Sequence, residues 1–592
     1  MTEVTKATPL PDHSSKEQLA NDFGNFFMTK IDKIREDIDK TLTADNIPAA
    51  VCYEQCASQS TSEMTSFKNL TPKETKDIIM KCSSKSCSLD PAPTQIIKNC
   101  VDILLPSITT IVNKSLEKGH FPDNWKSSLV IPLIKKNHLE RIPKNYRPVS
   151  NLQFISKVVE SAAVQQYRTY LLENDQMPNL NAAYAKHQST ETILMRVHSY
   201  ILSKMDNQNV TLLALLNLSA AFDTIDYGIL ENIFQHKFKI KDTVANWFTS
   251  YLTSRKQRIT IDGTLSTEFE LKCGVPQGSC AGTVTFLSYI SSLYDVIHEH
   301  DINVGGYADD NQLYISFKPS LDGKNEQEAV AKLIECINDV SKWMLQHNLK
   351  INDGKTEFII IGGAKQLSKI NGYPITVGSS KIQPVKKVRN LGVIFDDQLS
   401  MKDHINKICQ TGFHQLYRLR QIRKYFDQTT MEGLVHSFVT SHIDYGNAML
   451  YGLPDSSINK LQRLQNAAAR LIMMKSKRDS ISEILKSLHW LPVRQRIHFK
   501  ICLMVYKCLN GKGPQYLQEL LQNRPHTRTL RSSSQKLLLV PKMRTETFGK
   551  RAFVYAGPKL WNELPLHIRD SDSLIDFKKK LKTFLFCKTF NA

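Results

Sequence analysis

At 592 residues the chain is long enough for more than one domain and for sizeable cores. Hydrophobic residues make up 41% and charged residues 23%, which excludes an intrinsically disordered chain. The net charge of +20, spread over many Lys and Arg, points to a polyanionic partner with nucleic acid first, although a merely basic soluble protein has the same balance.

Residues 1–15 are polar and read as a disordered lead-in. From Lys16 to Lys40, Leu19, Phe23, Phe27, Ile31, Ile34 and Ile38 recur at helical spacing, predicting an amphipathic helix that needs a partner surface. Residues 41–66, rich in Ser, Thr and Ala, read as a linker. Residues 67–126 carry helical patterns, including Ile96 to Leu105 and Ile108 to Leu116, punctuated by Asp90-Pro91-Ala92-Pro93 and Gly119-His120-Phe121-Pro122. An apolar strand over 128–136 ends in bases and leads to Asn145-Tyr146-Arg147-Pro148-Val149-Ser150. There Lys135, Lys136, Lys144 and Arg147 suit either a phosphate-facing surface or a solvated basic loop.

The run Val210 to Leu216 predicts a strand buried on both faces, ending at Asn217. Cys273-Gly274-Val275-Pro276-Gln277-Gly278-Ser279 predicts a Gly/Pro loop before an apolar helix near Phe286 to Val296. In Gly306-Tyr307-Ala308-Asp309-Asp310 two adjacent carboxylates follow an aromatic and a small residue. Leu313, Ile315 and Phe317 alternate with Gln312, Tyr314 and Ser316, predicting a half-buried strand and a hairpin with the carboxylates at its tip. Such a tip can hold carboxylates against magnesium, which wants hard oxygen ligands; alone, the pair is more often the mark of a solvated turn. A helix is expected over Glu326 to Gln346. Downstream, Leu461, Leu464, Ala468 and Leu471 form one helical face, with Lys460, Arg463, Arg470, Lys475, Lys477 and Arg478 supplying charge. A later stretch from Thr527 to Arg531 through Lys542-Met543-Arg544 and a terminal helix at Leu574 to Phe586 close the chain.

The twelve cysteines follow no zinc-binding spacing; Cys52 and Cys56, or Cys82 and Cys87, lack a matching pair, so free thiols in a reducing compartment are expected. Neither a signal peptide nor an apolar run long enough to span a bilayer is read, so the expected location is nucleus or cytoplasm, not secreted, with no membrane partner.

In order, the blocks Asn145 to Ser150, Ser189-Thr190-Glu191-Thr192, Leu218 to Asp226, Gly274 to Ser279, Tyr307 to Asp310, Lys355-Thr356-Glu357-Phe358 and Asn390-Leu391-Gly392-Val393 resemble the reverse transcriptase of LINE-type (non-long-terminal-repeat) retrotransposons, within the Jockey-like lineage. Leu488 to Val493 and Pro558 to Asn562 are similar too. The resemblance implies an α+β right-hand polymerase with fingers, an antiparallel-sheet palm and a helical thumb, plus a basic helical C-terminal region. It divides the chain into an N-terminal helix and linker (1–66), an N-terminal extension of the fingers (67–126), the reverse transcriptase domain (127–396) and the thumb with the C-terminal region (397–592).

The implied reaction joins a primer 3′-hydroxyl to the α-phosphate of a deoxynucleoside triphosphate on an RNA template. RNA, DNA primer and nucleotides are thus the partners, and two magnesium ions the cofactors. By resemblance Asp309 and Asp310 are catalytic metal ligands and Lys355 donates a proton to the leaving pyrophosphate, or is a solvated cation. Phe222 holds the steric-gate position against a ribose 2′-hydroxyl, or is core packing. Gln277 lines the incoming nucleotide, and Arg147 is a substrate contact. Asp223 and Asp226 are read as turn and capping residues.

The sequence departs from the family where an aspartate should end the first palm strand: here the ligand position is Asn217. A neutral amide between two divalent ions removes charge that holds them together, at a cost of ~4 kcal/mol, roughly a thousandfold in rate. Asp223 lies ~20 Å further along at strand rise and does not replace it. Ala185 stands where an arginine is usual, and Ala281, Thr283 and Thr285 where Leu, Pro and Leu are, which is expected to loosen packing beneath the site. Tyr227 and Asn311 also differ from the family pattern. Nothing before residue 67 has the length of the family's endonuclease, and no cysteine-rich knuckle follows the thumb. The resulting expectation is a 5′-truncated, impaired polymerase; the alternative is a non-enzymatic nucleic-acid-binding protein on the same scaffold.

Overall fold

The computed structural model describes residues 10–48, 62–136, 138–176, 181–524 and 536–590. Parts of the expected lead-in and linker (1–9, 49–61), Cys52 and Cys56, and the Thr527 to Arg531 part of the later stretch lie outside those residues. The chain forms two units, each assembled from separate stretches: Met1–Pro178, Leu218–Ile297 and Asn338–Asn352 in the first, Asn179–Asn217, His298–Ile337 and Asp353–Ala592 in the second. The strands used below are β1 (Ser127–Ile134), β2 (Tyr146–Asn151), β3 (Val210–Leu216), β4 (Arg255–Ile261), β5 (Thr264–Leu265), β6 (Phe269–Leu271), β7 (Asn303–Tyr307), β8 (Asp310–Phe317) and β9 (Glu357–Ile361). With long helices in both units, the content is α+β, as expected.

In the first unit the sheet order is β2-β1-β4-β5, with β6 also on β4. β1 runs antiparallel to β2 and parallel to β4. The predicted N-terminal helix spans Lys16–Ala44 and starts where the Ser15 hydroxyl accepts from the Gln18 amide. Its partner surface is this sheet. Leu19, Phe23 and Phe27 pack with Val130, Tyr146, Ile259 and Ile261, and the Phe23 ring meets Tyr146 edge-on at 5.0 Å. The helix runs past Lys40 because Leu42 prolongs the apolar stripe, packing with Ile38 on Leu345. The helical pattern over 96–105 is two helices, Thr94–Asn99 and Val101–Glu117, broken at Cys100.

The helix expected near Phe286 begins earlier, at Cys280, and stops at Tyr289, with a second helix at Leu293–Glu299. Against expectation, Cys280–Glu299 has the length and mean hydropathy (1.2) of a spanning segment. It is 78% buried within the protein, so its apolar character is that of a core helix. Nor do the hydroxyls of Thr283 and Thr285 sit without partners: they donate to the carbonyls of Cys280 and of Ala281 and Gly282, the helix's own backbone. The loosening expected there is thereby reduced.

The second unit holds an antiparallel sheet in the order β7-β8-β3-β9. β8 is not half-buried as its alternation suggests. It is an inner strand, and Gln312 and Tyr314 are each 1% exposed, as enclosed as Leu313. Buried Gln312 is tolerated because its amide oxygen accepts from the Asn390 side chain at 2.6 Å. The helix Thr190–Asp206, started by a capping box of Ser189 and Thr192, buries Ile193, Val197 and Ile201 in the same core. The C-terminal helices Lys402–Ile422, Asp455–Met473, Val493–Leu509, Phe553–Asn562 and Leu574–Phe590 share that core. In Asp455–Met473 the expected face of Leu461, Leu464, Ala468 and Leu471 is the buried one.

Candidate active site

The residues singled out from the sequence fall into two groups, one in each unit. Asn217, Asp309, Asp310 and Lys355 belong to the second unit, and Arg147, Phe222 and Gln277 to the first.

β7 and β8 form the predicted hairpin, with Tyr307 opposite Asp310 and a two-residue turn of Ala308 and Asp309. Ala308 has φ +55, so the turn needs outside support. Asn181 supplies it. Its amide nitrogen donates to the Ala308 carbonyl and its amide oxygen accepts from the Ala308 N–H, both at 3.0 Å. The Ala182 N–H donates to the Gly306 carbonyl as well. Asn181 is 1% exposed, so the clamp is shielded from water. Sequence reading missed this residue, which has no motif of its own.

β3 delivers Asn217 to the same place. Leu216 lies opposite Asn311 on β8. One step further, the Asn217 side-chain nitrogen donates to a carboxylate oxygen of Asp310 at 3.3 Å. The structure thus brings Asn217 against one member of the carboxylate pair. Tyr184, at φ +57, is a further neighbour: its phenol pKa is raised by burial, then by the negative charge of Asp309 and by Tyr307. Lys355 ends the short 3-10 turn Asp353–Lys355 and is exposed.

In the first unit the Gly/Pro loop is held from several sides. The Gly274 N–H donates to the Ile225 carbonyl, the Val275 N–H to that of Phe222, and the Ser150 N–H to that of Gln277. Gly274 (φ +83) admits no side chain, since a Cβ would stand 2.6 Å from the Asp223 carbonyl oxygen. The Gln277 amide donates to an Asp223 carboxylate oxygen at 2.8 Å. Burial raises the Asp223 pKa, against the lowering by this hydrogen bond and by Lys30. Asp223 is thus a turn residue, as expected, and also the anchor of Gln277, which was not foreseen. Asp226 is the expected cap, accepting from the Gly228 and Ile229 N–H groups, and Tyr227 donates to the Gly274 carbonyl at 2.9 Å.

The Phe222 ring stacks on Phe286 at 4.4 Å and 20° while remaining part-exposed. That arrangement fixes the ring's position. Arg147 is exposed on β2, paired in register with Leu133.

As a metal site, the hairpin tip offers two carboxylates and one neutral amide. Among the described residues no three His, Cys, Asp or Glu side chains converge. With its nitrogen turned to Asp310, Asn217 satisfies that carboxylate oxygen without a cation, where an aspartate would set two like charges side by side. The donors suit one hard divalent ion and do not fit a closely spaced pair, whose charge they balance only in part.

Comparison with known proteins agrees with the motifs. Residues 134–395 match the family described as reverse transcriptase (RNA-dependent DNA polymerase). The RNA-directed DNA polymerase from the mobile element jockey of Drosophila melanogaster is 23% identical over 80% of this chain and 51% of its own length. The probable RNA-directed DNA polymerase from transposon X-element of the same organism is 25% identical, over 62% of this chain and 39% of its own length. The one from transposon BS is 22% identical, over 77% of this chain and 50% of its own length. The chain therefore spans about half, or less, of these relatives. Over residues 134–395 it carries a reverse transcriptase domain, of the Jockey-like, non-long-terminal-repeat retrotransposon kind.

Proposed function

We propose that the chain is the RNA-templated DNA-synthesising part of such an element, with its chemistry impaired at Asn217. The observation that carries this reading is the Asn217 amide facing Asp310 across the end of β3 and β8. In the proposed assignment 1–66 is an N-terminal helix and linker, 67–126 an extension of the fingers, 127–396 fingers and palm, and 397–592 thumb and basic C-terminal region. RNA template, DNA primer and deoxynucleoside triphosphates are the proposed partners, in nucleus or cytoplasm.

Asp309 and Asp310 would hold a magnesium ion, which would supply positive charge for activating the primer hydroxyl and for balancing the leaving pyrophosphate. The roles of this chain's own residues follow from their positions. Asp309 and Asp310 present carboxylates on a clamped turn, Phe222 limits space at the sugar with a ring held on Phe286, and Gln277 is oriented by Asp223. Lys355, exposed and cationic, is free to meet developing negative charge.

Duplex binding draws support from the helix Lys402–Ile422 and its continuation. Phe413 (45% exposed), Tyr417 (63%) and Tyr425 (72%) stand among Arg418, Arg420 and Lys424. The alternative, a non-enzymatic nucleic-acid-binding protein, is favoured by the same Asn217–Asp310 contact, which is satisfied without metal.

The test is a pair of measurements on the purified protein with an RNA–DNA primer–template. Affinity falls steeply with salt as released counterions drive association, and primer extension with magnesium is slow, with deoxynucleotides preferred to ribonucleotides. Salt-independent binding overturns both readings. Binding without any extension, even after Asn217→Asp, leaves only the non-enzymatic one.

A further inference from the structure

The C-terminal helices line an open cavity of about 750 Å3, within the ~300–1,000 Å3 of pockets that bury a ligand-sized group. Its walls come from the Leu450–Pro454 turn with the start of the helix Asp455–Met473, from the helix Val493–Leu509, and from residues 546–551 leading into the helix Phe553–Asn562. None of the residues proposed for polymerisation lines it.

Two features of the lining stand together. One is cationic charge in excess of its counter-ions. Glu546 is taken by Lys550, Glu563 faces Lys588 at 3.9 Å, and Arg494 is paired with Asp455. Lys402, Lys559 and Arg551 also line the cavity, and among the described residues none of them forms an ion pair. Arg551 is the most telling. It is only 6% exposed, its two terminal nitrogens donate to the carbonyls of Thr547 and Leu399, and its Nε has no partner. Burial pushes its pKa down to about 10 against the raising influence of the Asp396 carboxylate, so the guanidinium is a charge largely kept from water that forms no direct ion pair.

The other feature is aromatic. Tyr451, Phe548 and Tyr555 line the same space. The Lys559 ammonium stands 5.7 Å from the Tyr555 ring, and the His498 ring 5.7 Å from Tyr451. His498, held down to about 4 by burial and the nearby cations Arg494 and Lys588, is neutral at pH 7 and serves as a flat polar wall.

Rings beside unpaired cations are what a nucleotide unit needs: a π-face for the base and positive charge for the phosphate. A duplex keeps its bases stacked and paired, out of reach of rings inside a cavity, whereas an unpaired strand can splay them. An acidic peptide would use the cations and leave the rings idle. We propose that this cavity receives a single-stranded segment of nucleic acid, with bases on Tyr451, Phe548 or Tyr555 and phosphates on Lys402 and Lys559, the buried Arg551 adding positive charge behind them.

The experiment is photo-crosslinking of a 4-thiouridine-containing RNA octamer to the full chain, with the crosslinked peptides mapped. Crosslinks are expected in the segments holding Tyr451, Phe548 or Tyr555. Tyr451→Ala lowers octamer affinity at least about fivefold, the lower end of the range for losing one stacked base. The double variant Lys402→Glu with Lys559→Glu, two exposed positions whose replacement spares the core, abolishes the crosslink at unchanged circular dichroism. An oligoglutamate peptide at equal charge fails to displace the octamer. Crosslinks confined to other segments, a yield unmoved by the charge reversal, or displacement by oligoglutamate each overturn the proposal. Primer–template affinity measured on the same samples reports separately on the proposed polymerase function.

Discussion

The loop at Gly274–Gln277 and the hairpin tip at Ala308–Asp310 are both turns that carry proposed chemistry, and they differ in where the chemistry is stored. In the loop the support and the functional group are linked: backbone bonds to Phe222, Ile225 and Ser150 set the path, and Asp223 holds Gln277 directly. At the hairpin the support is separate from the chemistry. Asn181 clamps the Ala308 backbone, while the charge needed for a metal pair depends on side chains that support nothing, among them Asn217. Exchange of one oxygen for one nitrogen there leaves every backbone bond in place. A turn built this way can lose its reaction and keep its fold.

The largest effect that would sharpen this contrast is restoration. Asn217→Asp keeps side-chain length, and primer extension with magnesium is expected to rise about a thousandfold, equivalent to ~4 kcal/mol of barrier. Adding Asp309→Asn to that variant abolishes the gain. Robust extension by the unmodified protein, indifferent to Asn217→Asp, would show that an amide suffices.

Next comes the loop, where support and chemistry should fail together. Gly274→Ala forces a Cβ against the Asp223 carbonyl at a positive φ, and the expected loss is about 3 kcal/mol in urea unfolding. If that variant unfolds like the parent, the loop is looser than its bonds imply. Somewhat smaller is Asn181→Ala, which strips two hydrogen bonds from the buried turn, at about 1–3 kcal/mol. In the Asn217→Asp background it also lowers extension by misplacing Asp309, whereas a stability loss with undiminished extension would separate the clamp from the site.

The smallest effect has a defined sign. The Asp223 pKa is raised in the folded protein, so its ionised form is disfavoured there relative to the unfolded chain. Its favourable contribution is complete below the unfolded value and is lost as pH rises through the folded one. Asp223→Asn, whose amide oxygen still accepts from Gln277, should raise the melting temperature at pH 7, and the gain should shrink as pH falls toward the carboxylate range. A gain that grows on acidification would mean that the buried carboxylate is stabilised as the anion.

Much of this was legible in the residues. The apolar stripe from Leu19 to Ile38 and the β3 run declare their periods, and burial follows, while the strands around Asp309 declare the hairpin but not its burial. Asn217 stands out in the sequence through the resemblance alone, which implies an aspartate at that position. What was hidden is what depends on long-range neighbours. Asn181 and Asp223 act on residues 127 and 54 positions away, and no local pattern marks them. β8 read as half-buried because Gln312 is polar, and only its bond to Asn390 explains a buried amide. The Arg551 cavity was likewise invisible, being assembled from several separated segments.

The central claim is that one missing charge at β3 separates this hairpin from a metal-pair site. A manganese titration followed by electron paramagnetic resonance tests it most directly, on the protein bound to a dideoxy-terminated primer–template with a deoxynucleoside triphosphate. The unmodified protein is predicted to show a single uncoupled ion, and Asn217→Asp a second ion with the spectrum of a coupled pair, lost again on Asp309→Asn. A coupled pair in the unmodified protein, or no second ion in Asn217→Asp, would contradict the account.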